Sequence, residues 1–168
     1  EAKRRIDQMK AARAAMDIEA KRVAADKATA LWSRATRATG QEEYLTRKGI
    51  AAHGAKVHND ALVIPLRKGL DIVGLQFISA DGSKRFLVGS DVDGAYFSLA
   101  AKGDDLSTIA IGEGFATCAS VREATGWPII VAFNAGNLKA VAKAMRDKYP
   151  DARIVILADN DQWTQIKG

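Results

Sequence analysis

Three short apolar runs constrain the fold of this chain more than any other feature. They cover residues 108–112, 128–133 and 153–158, are rich in β-branched side chains, and do not alternate with polar residues. Strands that helices cover on both faces have this pattern, whereas half-exposed strands alternate. Segments with helical character, Phe115–Thr125 and residues 138–149, separate the runs. The order predicts an α/β unit in which a parallel sheet is built as β-α-β-α-β.

The ends of these two helices carry residues with known capping preferences. Gly126 follows the first helix, at the position where a left-handed residue commonly ends a helix. Asn137 precedes the second helix and is expected to cap it with its side chain. Both residues support the predicted helix boundaries.

Composition excludes several classes of protein. Because Cys118 is the single cysteine, an intramolecular disulfide is excluded. We expect its side chain in the core. With only His53 and His58 beside it, a structural zinc site lacks ligands. No apolar stretch approaches the roughly 20 residues that a membrane helix needs. We expect a cytoplasmic protein without a membrane partner.

Three carboxylates lie where two of the apolar runs end. Glu113 follows the first run, and Asp159 and Asp161 follow the third. In open α/β sheets, ligands bind beyond the carboxyl ends of the strands. Clustered acids repel one another unless a cation or a raised pKa intervenes, and hard cations prefer oxygen ligands. The acids therefore predict a site for Mg²⁺ or Mn²⁺, while an Asp-x-Asp that only caps a turn or helix is the alternative.

A second sheet of different character precedes the α/β unit. Its four predicted strands are short and are separated by turns such as Asp81-Gly82, which implies antiparallel pairing. A short helix over residues 41–50, ended by Gly49 in the left-handed conformation, comes before them. The predicted strands cover residues 62–67, 72–78, 84–88 and 95–99.

The excess positive charge is confined to the start of the chain. Residues 1–40 hold ten Lys and Arg against five Asp and Glu, which is the whole net charge of +5. Their composition predicts one or two exposed helices, whose Leu31-Trp32 end is a candidate for docking on the core. Two interpretations stay open: an arm that binds a polyanion, and a solvated helix that links domains. The predicted organisation is a basic helical arm or linker (1–40), a small mixed α/β subdomain (41–103) and the parallel-sheet domain (104–168), for which a truncated carboxyl end is left open.

The strand-Glu-Gly, helix, strand, helix, strand-Asp-x-Asp order resembles the TOPRIM domain of DnaG-type primases, type IA and II topoisomerases and some nucleases. The motifs Gly112-Glu113-Gly114 and Ala158-Asp159-Asn160-Asp161 are most similar to those of primases from phages, plasmids and other mobile elements. The antiparallel sheet before them is similar to the small subdomain that precedes TOPRIM in those primases. The resemblance covers roughly residues 41–161.

The resemblance implies a role for each candidate residue. Glu113 matches an acid that aids catalysis and metal binding, and Asp159 and Asp161 match the metal-binding pair. The basic residues of the small subdomain match positions that face template or nucleotide; they are Arg67, Lys84 and Arg85. The implied activity is a DNA primase core, a nucleotidyltransferase that makes RNA primers for phage or plasmid replication. Its implied partners are single-stranded DNA, nucleoside triphosphates and a helicase.

Two positions depart from the pattern of replicative primases. Thr117 stands where those enzymes commonly have a further Asp, and Asp93 stands where they have a Lys. Alternatives are therefore a nucleic-acid-binding TOPRIM module with little activity, or a TOPRIM nuclease. A topoisomerase would need a tyrosine-bearing domain for which the chain is too short. A haloacid-dehalogenase-type phosphatase carries its Asp-x-Asp on the first strand, with Thr or Val where this chain has Trp163.

Overall fold

The computed structural model describes residues 1–158. The chain divides into two compact units, residues 1–97 and residues 98–168. The first unit contains the long amino-terminal helix together with the antiparallel sheet, and the second contains the parallel strands. The three-part domain organisation stated above stays a prediction.

Helix α1 (Ala2–Arg34) is one continuous helix of 33 residues. Its first half is exposed, and its buried side chains are Ala24 and Ala28. The predicted docking is confirmed, because Leu31 and Trp32 pack against the hydrophobic core of the first unit. The large apolar side chains that α1 leaves exposed are Ile6, Met9, Met16, Ile18 and Val23.

The first unit contains a five-stranded antiparallel sheet with its strands in chain order. Helix α2 (Glu43–Lys48) lies between the first two strands in sequence and ends at Gly49, which has the predicted left-handed conformation with φ 64°. The two strands at the start of the sheet were not predicted from the sequence. The five strands are β1 (Thr36–Arg37), β2 (Lys56–His58), β3 (Ala61–Lys68), β4 (Asp71–Ile78) and β5 (Lys84–Phe86).

Strand β3 is buried on both of its faces. Val63 joins a core with Ala28 of α1 and Leu75 of β4, so α1 packs on that face. Leu62 lies beside Tyr44 of α2 in a cleft on the other side. Alternate residues of a strand point to opposite faces, and an uninterrupted apolar strand therefore needs cover on each.

Two contacts fix α1 on the sheet. Gly89, with φ 84°, approaches the helix so closely that an added Cβ would lie 2.9 Å from Cβ of Ala24. Asp91 accepts from the Nζ atoms of Lys21 on α1, at 2.9 Å, and Lys68 on β3, at 2.6 Å. The helix is thus held by close backbone packing at one point and by a shared carboxylate next to it.

The second unit has the predicted β-α-β-α-β order. Its sheet and helices comprise β6 (Phe97–Ser98), β7 (Thr108–Gly112), α3 (Phe115–Thr125), β8 (Ile129–Val131), α4 (Leu138–Lys148) and β9 (Arg153–Leu157). Strand β7 is central and pairs in parallel with β8 on one side and β9 on the other. The strand order is β6-β8-β7-β9, and helices α3 and α4 connect the parallel strands. The predicted fold class, a parallel unit preceded by an antiparallel sheet and a helical arm, is confirmed.

Two local predictions need correction. Of the strand predicted at residues 95–99, Phe97 and Ser98 form β6 in the parallel-strand sheet, whereas Tyr96 keeps a single antiparallel bridge to Arg67 of β3. Asn137 precedes α4 but makes no side-chain capping bond. Gly126 does end α3 with φ 71°, as predicted, and Cys118 is buried. Within residues 1–158, no helix is long and apolar enough to cross a membrane.

Candidate functional site

The carboxyl ends of the three parallel strands lie at one edge of the second sheet. Gly112 at the end of β7 is in register with Val131 of β8 and with Leu157 of β9. The amide of Ala132 continues this pairing by donating to the Gly112 carbonyl oxygen at 2.7 Å. Glu113 follows Gly112 directly. The sequence therefore places a carboxylate where the central strand meets the edge that binds ligands in such sheets.

Gly112 is required by the packing of α3 on the strand end. A Cβ added there would lie 2.7 Å from Sγ of Cys118 and 3.4 Å from Cβ of Leu157. Cys118 is fully buried, and its Sγ lies 3.9 Å from the carbonyl oxygen of Ile130. Only a residue without a side chain lets the helix approach so closely. This approach brings the start of α3 next to Glu113.

Glu113 has surroundings that suit an anionic side chain facing a ligand. It is half-buried and lies just before Gly114, the extended residue that precedes α3. The amino-terminal end of a helix has free amides and a partial positive charge, which favour negative groups. Within residues 1–158, no Lys or Arg side chain forms an ion pair with Glu113. The oxygens of a carboxylate at this position have the chemistry that a hard divalent cation prefers.

The loop after β8 holds a conformation that the sequence did not predict. Phe133 is buried and has φ 73°, a value that non-glycine residues rarely adopt. Asn134 Oδ1 accepts from the amide of Asn137 at 3.0 Å, and Asn137 Nδ2 donates to the carbonyl oxygen of Ala132 at 2.9 Å. Instead of capping α4, the buried Asn137 side chain holds the loop against the strand end. Strained residues of this kind cluster at functional sites.

Asp159 and Asp161 lie outside the described residues. They are the second and fourth residues after Leu157, which is the partner of Gly112. Among residues 1–158, no group of three His, Cys, Asp or Glu side chains is placed to hold a metal. The metal site formed by Glu113, Asp159 and Asp161 therefore stays a prediction.

The three basic residues predicted to face template or nucleotide lie at two places in the first unit. Arg67 is opposite Ile72 at the start of β4, whereas Lys84 and Arg85 are opposite Ile78 and Phe77 at its end. At about 3.4 Å per residue, roughly 17–20 Å of strand separates the two places. The structure does not bring the three side chains together.

Their local contacts also differ. The Arg67 guanidinium donates from Nη1 to the carbonyl oxygen of Leu70 at 2.9 Å. The Arg85 guanidinium lies 4.5 Å from the centre of the Phe77 ring, a cation–π distance. Lys84 is exposed. The guanidinium groups of Arg67 and Arg85 thus already contact other residues of the protein, whereas the Lys84 side chain is open to solvent.

Comparison with known proteins identifies the parallel-strand region. Residues 108–166 match the family model described as the Toprim domain. These residues belong to the Toprim family. The match begins at β7 and extends over the predicted acids, so the Toprim domain contains both Gly112-Glu113-Gly114 and Asp159-Asn160-Asp161.

Two curated relatives extend the similarity to the antiparallel sheet. The chain is 36% identical over 130 residues, 73% of its length, to a protein named DNA primase TraC from Escherichia coli. A second protein of that name and organism is 36% identical over 126 residues, 71% of the chain. The chain spans 12% and 9% of the lengths of these relatives. The resemblance to a Toprim-containing, DnaG-like primase is confirmed.

Proposed function

We propose that this chain is the catalytic core of a DNA primase of the phage or plasmid type. In this proposal it joins ribonucleotides on a single-stranded DNA template by metal-dependent nucleotidyl transfer. Support comes from the Toprim match and from similarity to proteins named DNA primase over about seven-tenths of the chain.

The observation that carries the proposal is the register of β7 with β9. Gly112 is opposite Leu157 in a parallel pair, so the chain leaves both strands at the same edge. Glu113 is the next residue on one strand, and Asp159 follows two positions after Leu157 on the other. Parallel strands that end in register favour convergence of the residues that follow them.

Glu113, Asp159 and Asp161 would hold Mg²⁺ or Mn²⁺ through carboxylate oxygens. A bound divalent ion supplies activation of the attacking hydroxyl and neutralises charge on the phosphates. Glu113 is held at the strand end by the Gly112 packing and by the start of α3. Thr117, exposed in the first turn of α3, supplies no carboxylate. The proposed metal binding therefore rests on these three acids.

Arg67, Lys84 and Arg85 are proposed to contact the anionic template or nucleoside triphosphate. Their separation along β4 suits two points on an extended polyanion better than one compact phosphate group. A helicase is the proposed protein partner, since priming requires exposed single strands. We propose that this activity takes place in the cytoplasm, where the template is expected.

The deciding experiment is primer synthesis on single-stranded DNA with labelled ribonucleotides. It uses the full-length parent protein, because the 168-residue chain spans only a small part of its relatives. The expected result is a short RNA product that requires Mg²⁺ or Mn²⁺. Replacing Glu113 with Gln is expected to reduce synthesis at least about a hundredfold, because a ligand of the metal that stabilises transition-state charge is lost.

Asp147→Asn is the matched control. Asp147 is an exposed acid on α4 in the same unit, and its replacement removes one negative charge without touching the strand ends. The control should synthesise primers at the wild-type rate. Absence of any product from the wild-type parent would overturn the proposal. Metal-dependent cleavage of DNA without synthesis would favour a Toprim nuclease instead.

A further inference from the structure

A cleft in the first unit is lined by described residues that do not include any of the site residues predicted from the sequence. It forms beside the end of α1, at the edge strand β1 and its neighbour β2, and its volume is about 520 Å³. Ligand-binding clefts usually measure roughly 300–1,000 Å³. The aromatic and charged side chains that line it are Trp32, Arg37 and Lys56. No described residue that lines it is acidic.

The two cations of this cleft lie directly opposite each other. Arg37 of β1 and Lys56 of β2 are partners in the antiparallel register. Like charges at directly opposite positions destabilise a sheet. Within residues 1–158, neither side chain forms a salt bridge that would offset this repulsion. An anion between them would remove the conflict.

Lys56 is positioned by the end of α1. Its Nζ donates to the carbonyl oxygen of Trp32 at 2.7 Å and lies 4.5 Å from the centre of the Trp32 ring. The carbonyl is one of the last in α1, where helix carbonyls lack partners within the helix, so this bond has a structural role. A lysine ammonium has three donors, and this bond uses one. Donors therefore remain at a fixed point in the cleft.

Arg37 supplies the second set of donors. Its side chain is exposed, and its guanidinium offers a planar fork of N–H groups that matches phosphate geometry. An aromatic ring beside two cations is also the usual composition of surfaces that bind single-stranded nucleic acid. The cleft thus combines charge, directed donors and a ring.

We propose that the Trp32/Arg37/Lys56 cleft binds a phosphate group carried by a nucleic acid or a nucleotide. The chemistry that Arg37 and Lys56 recognise is the same in a phosphodiester chain and in a free triphosphate. Glu113 and the proposed metal site take no part in it. Loss of phosphate binding at the cleft would therefore leave the proposal of primer synthesis intact. Loss of primer synthesis would likewise leave the proposal for the cleft intact.

The test measures binding by the 168-residue chain in the presence of EDTA, which removes any contribution from a bound metal. One arm uses a fluorescein-labelled single-stranded DNA oligonucleotide, and the other uses fluorescent ATP. Arg37→Gln is expected to weaken binding roughly tenfold, as for loss of one charge-assisted hydrogen bond. If the ligand is the oligonucleotide, the slope of log K against log salt should also fall by about 0.7 per lost phosphate contact.

Three further variants control the measurement. Arg37→Lys retains the charge but not the planar fork, and it should bind more tightly than Arg37→Gln and less tightly than wild type. Lys48→Gln removes an exposed cation outside the cleft and should bind as wild type does. Lys56→Gln should weaken binding as well, and thermal melting separates a loss of ligand contacts from loss of the Trp32 bond.

The two arms identify the source of the phosphate. Weakened oligonucleotide binding with unchanged ATP binding assigns the cleft to a nucleic-acid chain, and the opposite result assigns it to a nucleotide. The proposal is overturned if Arg37→Gln and Lys56→Gln bind both probes with the affinity and salt dependence of Lys48→Gln.

Discussion

The two sheets of this chain position their polar residues in different ways. In the parallel-strand sheet, β7, β8 and β9 all run toward one edge, and Glu113 and the Phe133–Asn137 loop follow strand ends there. In the antiparallel sheet, neighbouring strands reverse direction. Arg67 and Arg85 consequently lie at opposite ends of β4.

Parallel topology therefore favours convergence of the residues that follow the strands, whereas the antiparallel sheet separates Arg67 from Lys84 and Arg85. A parallel sheet gathers residues that are far apart in sequence, because each strand end delivers its next residue to the same edge. The antiparallel sheet instead supplies an extended surface and a platform for α1. The comparison predicts steep, localised effects of substitutions in the second unit and smaller, separable effects in the first.

The largest effect on stability is expected at Gly112. Gly112→Ala places a Cβ 2.7 Å from Cys118 Sγ in a buried strand end, and overpacking of this kind costs about 1–3 kcal/mol. Urea unfolding of the 168-residue chain measures the loss. Removing the sulfur with Cys118→Ala should relieve the clash, so Gly112→Ala should cost less in that background. An equal cost in both backgrounds would contradict the proposed packing of α3 on β7.

The next effect is expected at Gly89, where α1 meets the antiparallel sheet. Gly89→Ala introduces both a strained φ of 84° and a contact 2.9 Å from Cβ of Ala24. Gly69 is the matched control, since its φ is 63° but no atom lies within 4 Å of an added Cβ. Gly69→Ala measures the cost of backbone strain alone, about 1 kcal/mol, and Gly89→Ala should cost more because of its additional contact with Ala24. Equal losses at the two positions would show that α1 is not closely packed at Gly89.

A smaller, pH-dependent effect is expected at Asp91. Burial raises the pKa of Asp91, but hydrogen bonds from Lys68 and Lys21 outweigh burial and hold this pKa below its ordinary value of 3.8. A carboxyl whose pKa is lower in the folded state stabilises the protein fully above about pH 4. This contribution is lost as the pH falls through the folded-state pKa.

The measurement compares the pH dependence of urea unfolding for wild type and Asp91→Asn. Wild type should be about 1 kcal/mol more stable at neutral pH, and the difference should shrink as the solution is acidified below about pH 4. A difference that stays constant with pH would mean that the lysine bonds do not act through the Asp91 charge.

The smallest effects are expected at the dispersed basic residues. Arg67→Gln and Arg85→Gln should each weaken binding of single-stranded DNA by about 0.5–1 kcal/mol, since each removes one cation, half-buried at Arg67 and exposed at Arg85. Because they lie roughly 17 Å apart along β4, their effects should add within about 0.5 kcal/mol in the double variant. A double variant whose loss of binding free energy differs strongly from the sum of the single losses would indicate that both arginines share one contact. That result would contradict the dispersed arrangement inferred for the antiparallel sheet.

The sequence was most informative where one physical pattern dominates. Buried parallel strands need uninterrupted apolar runs, and α3 needs a glycine where it ends, so the second unit and Gly126 could be predicted. Strands β1 and β2 have only two and three residues, which is too short for a periodic pattern. They form because the sheet provides partners that are distant in sequence, and local propensity does not encode this.

The candidate site shows the same limit. Glu113 could be found because it follows an apolar run, but the positive φ of Phe133 and the buried Asn137 side chain depend on tertiary contacts with Ala132 and Asn134. The sequence predicts Asn137 as the cap of α4, because Asn is favoured there, and does not reveal that its side chain binds the Ala132 carbonyl oxygen. The Arg37–Lys56 pair was missed because its two residues are brought together only by the β1–β2 register.

Manganese binding by the 168-residue chain tests the central claim, a metal site at the carboxyl edge of the parallel strands. Isothermal titration with Mn²⁺ should show saturable binding by wild type and by Asp147→Asn. Glu113→Gln and Asp159→Asn should bind at least about tenfold more weakly, because each removes a negatively charged ligand. Equal Mn²⁺ affinity in all four proteins would contradict the assignment of Glu113 and Asp159 to a metal site.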